Sequence, residues 1–228
     1  MGDWGLYLLF LVPPLLLGLG VQAWLKRTFA RYSEVMLAAG VTGADVARTI
    51  LDRNGLADVP VHRSHGGELS DHYDPRKRSL HLSHPVFDPP SVSAAAVAAH
   101  ESGHALQQAQ GYAALRVRSA MFPVVAFASS AWIWLLLIGV LLSALNLVAV
   151  ALVLYAAAVA FHLVTLPVEF NASRRAGAQL RELGLVTGAE SDGVQKVLTA
   201  AALTYVAGAL AALSQLLYYA LVFFGGDD

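Results

Sequence analysis

The stretch SAMFPVVAFASSAWIWLLLIGVLLSALNLVAVALVLYAAAVAFHLVTLPV, Ser119 to Val168, contains no Asp, Glu, Lys or Arg. An α-helix needs about 20 apolar residues to cross a hydrocarbon core of about 30 Å, so this run is too long for one crossing and suits two with a tight return. Ser143 to Asn146 is where the return is expected. A further run, WGLYLLFLVPPLLLGLGVQAWL at residues 4–25, is uncharged, has Trp4 and Trp24 as interface anchors, and holds Pro13-Pro14, which predicts a kink. The last runs from about Ala200 to Phe224 and stops at Gly225-Gly226-Asp227-Asp228. Four spans result.

Composition agrees. The chain is 57% hydrophobic with a mean hydropathy of +0.56, which excludes an ordinary soluble globule. All 15 Lys and Arg fall in two blocks, Lys26 to Arg118 and Arg174 to Lys196. Four spans put both blocks on one side and leave the other with the Asp3 end, the 143–146 turn and the Asp-Asp tail. The positive-inside rule then gives an N-out, C-out protein of the bacterial cell (inner) membrane, with both basic blocks in the cytoplasm. A cleaved signal peptide over residues 1–25 is the alternative; its basic n-region is missing, so the segment reads as an anchor. A net charge of −1 gives no nucleic-acid signature, and topology and contact with the lipid bilayer account for the local basic residues. The absence of cysteine removes thiolate ligands and cysteine nucleophiles, and fits a cytoplasmic catalytic face.

About ninety residues between the first two spans read as a small folded domain. Thr42 caps a helix through Ile50-Leu51, with Gly55 beyond its end. Val59 to Arg63 and Arg78 to Ser83 read as strands of a small sheet or hairpin, with turn chemistry at Asp74-Pro75-Arg76-Lys77. Pro89-Pro90 halts the chain, and Ser91 caps a helix running to about Gln110.

That helix carries His100-Glu101-Ser102-Gly103-His104. Histidines four residues apart project from one helical face and can share one Zn²⁺ ion, and the glutamate after the first can take a proton from water at the metal. Catalytic zinc sites commonly use three protein ligands, so a third must come from elsewhere. Glu169 is the leading candidate: it follows Pro167 at the cytoplasmic end of the third span and is expected to open a new helix, Glu169 to Ala176. Its alternative role is a helix N-terminal acid favoured by the macrodipole. His162, seven residues earlier within the span, is a rival ligand or a neutral histidine bonded in the bundle. His62, His65, His72, His81 and His84 read first as solvated or turn histidines.

Several segments together resemble the YugP-type membrane zinc metallopeptidases: Thr42 to Arg48, Leu69-Ser70-Asp71-His72-Tyr73-Asp74-Pro75-Arg76, Ala95 to Ala105 around the zinc motif, Leu163 to Ser173, and Ala200 to Ala207. The zinc motif followed at a distance by Glu169-Phe170-Asn171-Ala172 is also similar to the HtpX and CAAX-prenyl proteases. The resemblance implies peptide-bond hydrolysis with one zinc ion, His100, His104 and Glu169 as ligands, and Glu101 as general base. Those proteases usually have Asp four residues after the glutamate ligand. This chain has Ser173, and Asp71 or Asp74 is a candidate to orient a ligand histidine instead.

The expected fold is a mainly α integral membrane protein with transmembrane helices at 1–25, 119–143, 145–167 and 199–224. A zincin-like cytoplasmic α+β metalloprotease domain fills 26–118, and a cytoplasmic helical segment, 168–198, brings the third ligand. The expected function is a membrane-anchored zinc endopeptidase acting on peptide or membrane-protein segments. Arg174, Arg175, Tyr73, His72 and Tyr205 are candidate oxyanion donors, each also explained by surface charge, lipid contact or packing. Arg78 to Ser83 could be an edge strand that pairs with substrate. Alternatives are an intramembrane-cleaving protease, whose zinc helix would itself cross the bilayer, and a non-catalytic zinc-stabilised scaffold.

Overall fold

The computed structural model describes residues 4–67 and 70–225. Asp3, Leu69 and the Gly226-Asp227-Asp228 end lie outside the described residues. The elements in chain order are α1 (Trp4–Ser33), α2 (Gly43–Arg53), β1 (Val61–Arg63), β2 (His72–Asp74), β3 (Ser79–Leu82), α3 (His84–Phe87), α4 (Val92–Ala109), α5 (Ala113–Leu141), α6 (Leu145–Glu182) and α7 (Gly188–Phe224).

Helices α1, α5, α6 and α7 are each long and apolar enough to cross a membrane. α1 continues through Pro13-Pro14. Between α5 and α6 the chain reverses over Leu142-Ser143-Ala144, with Ser143 at a φ of 51°. Gly139 lets the two helices close on each other, because a Cβ there would lie 2.9 Å from the backbone nitrogen of Val148.

The long helices do not end where their apolar runs end. α6 passes through Pro167 without a break and continues to Glu182, so Glu169 does not open a helix of its own. The nitrogen of Pro167 cannot donate, yet neighbouring helices hold a spanning helix together across such a gap; α6 packs on α4, α5 and α7. α7 starts at Gly188, well before its apolar part, with a capping box formed by Thr187 and Glu190.

The polar ends of α6 and α7 join α2, α4 and the sheet around one core that includes Ile50, Leu51, Leu80, Leu82, Leu180 and Leu198. The small side chains of Ala95, Ala96, Ala98 and Ala99 let one face of α4 pack deep in this core. Two caps read from sequence are present. Thr42 and Asp45 exchange hydrogen bonds at the start of α2, and Ser91 Oγ accepts from the Ala94 N–H at the start of α4.

The sheet has the order β1-β3-β2, with β1 parallel and β2 antiparallel to β3. This corrects the expectation that Arg78 to Ser83 offers an edge to substrate. β3 is the central strand and both of its flanks are paired. β2, which faces α4, is an edge.

Candidate metal centre

α4 and α6 bring the site together. His100 and His104 stand one turn apart on α4, and Glu169 meets them from α6. The glutamate Oε2 is 3.1 Å from His100 Nε2 and 3.5 Å from His104 Nε2. One ligand atom from each of the three residues lies within 4.8 Å of the other two. Zinc–nitrogen and zinc–oxygen bonds of about 2.0–2.2 Å in a tetrahedron separate ligand atoms by roughly 3.4 Å, so these donors fit one zinc ion in type and spacing. The glutamate side chain is 2% exposed and the His100 and His104 side chains 13% and 10%, so the donors are largely but not wholly withdrawn from solvent. Among the described residues no other group of histidines and carboxylates meets this spacing. His162 is not part of it, since seven residues along a helix separate it from Glu169 by about 10 Å.

Each imidazole is aimed by its far nitrogen. His100 Nδ1 hydrogen-bonds Ser173 Oγ at 3.1 Å, and His104 Nδ1 bonds Gln107 Oε1 at 3.0 Å. Both bonds leave the Nε2 lone pairs for the centre. Gln107 is itself fixed, donating from Nε2 to the Val168 carbonyl at 2.8 Å and to Asn171 Oδ1 at 3.0 Å. Asp71 and Asp74 do not orient either ligand histidine. Asp71 accepts from the backbone N–H and hydroxyl of Ser83, and Asp74 accepts from the N–H groups of Arg76 and Lys77 in the turn before β3. Ser173, four residues after Glu169, reaches His100 itself.

Glu169 divides its oxygens. Oε2 faces the imidazoles, while Oε1 lies 3.3 Å from Arg118 Nη1. Arg118 stands on the second turn of α5, and no spacing pattern pointed to it. Glu101 is fixed by a group with no side-chain signature at all: the backbone N–H of Tyr73, on β2, donates to its Oε2 at 3.0 Å. Burial opposes charging His104, but the hydrogen bond it donates to Glu169 and the nearby Glu101 and Glu169 charges prevail and raise its pKa above the ordinary 6.5.

A cavity of about 820 Å³ opens over the centre, lined by Glu101, His104 and Glu169 together with Arg118, Phe122 and Tyr205. His72 and Tyr73 line it as well, whereas Arg174 and Arg175 do not. Arg175 binds Asn171 Oδ1 and Gln110 Oε1, a structural tie between α6 and the end of α4.

Residues 7–224 match the family model described as "Putative neutral zinc metallopeptidase". The chain is 50% identical over 214 residues to "Putative membrane protease YugP" of Bacillus subtilis (strain 168), covering 92% of this chain and 95% of that protein. No solved structure matches it.

Proposed function

The chain belongs to the neutral zinc metallopeptidase family, and from that premise we propose that it is a membrane-anchored zinc endopeptidase in which His100, His104 and Glu169 hold one zinc ion and Glu101 is the general base. The observation that carries this reading is the meeting of donors from two distant stretches, with Glu101 in the same cavity. When bound, zinc supplies Lewis acidity to a scissile carbonyl and brings the pKa of a water down to about 7. Glu101 moves the proton. With Oε2 tied to the Tyr73 N–H, its Oε1 accepts from the attacking water and returns the proton to the leaving amine. Of the oxyanion donors considered from sequence, His72, Tyr73 and Tyr205 line the cavity with Glu101; Tyr73 packs in the core and the Nδ1–H of His72 is taken up by the Ser70 carbonyl, so Tyr205 is the one this reading retains.

Substrate is a peptide or membrane-protein segment at the membrane face. The cavity supports this, because β2 lines one part of it and Phe122 and Tyr205, from two membrane-crossing helices, line another. The distribution of Lys and Arg supports a cytoplasmic site in the bacterial cell (inner) membrane with both termini outside. An intramembrane mechanism that buries the zinc helix in lipid is disfavoured, as α4 is not among the candidate spans.

Purified Glu101→Gln should keep its zinc and lose cleavage of a casein or peptide-library substrate by at least about 10²-fold. Cleavage at the parent rate would end the peptidase reading. The cysteine-free chain also allows a direct test of orientation. Ser143→Cys should react with an impermeant maleimide in intact cells, and Lys77→Cys only after the membrane is opened; the reverse pattern would invert the topology.

A further inference from the structure

Three histidines that are not among the donors of the hydrolytic centre stand side by side on the sheet, His72 at the rim of the cavity over that centre. Strand register pairs His62 with His81 across β1 and β3, and His72 with His81 across β2 and β3. In-register residues point to the same face, so the imidazoles form a row. Ring centroids are 5.2 Å apart for His62 and His81, and 4.8 Å apart for His72 and His81. The two ligand histidines on α4 have the same spacing, 4.8 Å.

We propose that His62, His72 and His81 form a second metal site, centred on His81, which takes a borderline divalent ion such as Zn²⁺, Ni²⁺ or Cu²⁺ more weakly than the hydrolytic centre. Imidazole donors favour these ions over Mg²⁺ and Ca²⁺, which prefer oxygen. Two imidazoles on one ion, with bonds of about 2.0–2.1 Å, put ring centres roughly 5 Å apart; His81 stands at that spacing from each neighbour, while the donor nitrogens of all three do not yet lie within the 4.8 Å that joins the hydrolytic donors.

Two of the rings have one nitrogen engaged and the other open. His72 Nδ1 donates to the Ser70 carbonyl at 2.8 Å, the outer hydrogen bond that metal-binding histidines carry, and this leaves its Nε2 lone pair free. His81 Nε2 meets Ser79 Oγ at 2.9 Å, which leaves Nδ1 as donor to an ion. Burial and the neighbouring His72 and His62 charges lower the His81 pKa below 6.5, so the ring is in its neutral, ligating form at neutral pH.

The His72 and His81 rings now stack at 8°, and converging on an ion requires them to turn about χ2. That torsion is soft, and His62 and His72 are exposed. The cost of turning, and of holding exposed side chains still, is why this site is the weaker one. No salt bridge to any of the three explains the row among the described residues.

The test is a Zn²⁺ titration of the metal-stripped, untagged full-length protein in detergent at about pH 7.5, read by equilibrium dialysis and metal analysis. The parent should bind one tight and one weaker equivalent. His81→Gln should raise the weaker Kd at least tenfold, His62→Gln should raise it less, and both should keep the tight equivalent, which also reports that they are folded. His100→Ala/His104→Ala should lose the tight equivalent and keep the weaker one. A parent that binds a single equivalent, a weaker Kd unmoved by His81→Gln, or Ca²⁺ competing as well as Ni²⁺ for the weaker site would each overturn the proposal.

Discussion

A Cβ on Gly103 would lie 2.7 Å from the carbonyl oxygen of Ala172. Gly103 is the residue before His104, and Ala172 stands three residues after Glu169, so this contact sets how closely α4 and α6 bring His104 and Glu169 together. Gly103→Ala must push the helices apart, because the opposing atom is backbone and cannot rotate away. Overpacking of this kind costs about 1–3 kcal/mol. The variant should stay folded and should bind zinc at least about tenfold more weakly, measured by competition with a chromophoric chelator. Zinc affinity equal to the parent's would show that the contact does not govern the site.

The outer partners of the two histidines should matter unequally. Loss of a group that orients a ligand imidazole typically reduces metal affinity about 10–100-fold. Ser173→Ala removes one bond, to His100 Nδ1. Gln107→Leu removes the bond to His104 and also the ties to the Val168 carbonyl and Asn171, leaving buried polar groups unpaired. Zinc dissociation should therefore be faster in Gln107→Leu than in Ser173→Ala, and faster in both than in the parent. The opposite order would assign the main orienting role to Ser173.

These outer residues show where sequence reading stops. The apolar runs marked the four helices that, among the described residues, are long and apolar enough to cross a membrane, because hydropathy over about 20 residues is a local property. Thr42, Ser91 and the His100/His104 spacing were equally readable, since a cap or an i, i+4 pair is decided within one helical turn. Pro167 misled: it signals a helix boundary, yet packing against α4, α5 and α7 carries α6 through it. The sheet was only half legible. β2 is three residues long with no alternation to detect, and its placement at the edge depends on the parallel pairing of β1 with β3. Arg118 and the Tyr73 N–H reach the site through tertiary contacts alone. Gln107 could have been found, as it lies one turn beyond His104 on the same face.

Glu190 ties the start of α7 to the loop that follows α1. Its Oε1 accepts from the Ala38 N–H at 2.6 Å, and its Oε2 accepts from the Thr187 N–H in the capping box. Glu190→Ala removes both bonds, and losing a helix cap costs about 0.5–2 kcal/mol. Thermal unfolding of the variant in detergent should shift down by a few degrees, with zinc stoichiometry unchanged. A full loss of zinc with no change in melting would show instead that Glu190 acts on the centre and not on the scaffold.

The raised pKa of His104 gives metal-free and zinc-loaded protein opposite responses to pH. In the metal-free fold the ring binds a proton more tightly than the unfolded chain does, because Glu169 and Glu101 outweigh the cost of burial. That contribution to stability is fully present below the unfolded value near 6.5 and is lost as pH rises through the higher folded value. Zinc reverses the dependence, since it needs the neutral ring and must displace that proton. Melting of chelator-treated protein should therefore fall in temperature from about pH 6 to pH 8, while the extra stability given by a fixed excess of zinc grows over the same range. Tris and HEPES titrations of zinc binding at one pH should differ in heat by the proton released. In His104→Gln the release should shrink and the downward slope of the metal-free form should flatten; a slope kept intact in that variant would assign the proton to another group.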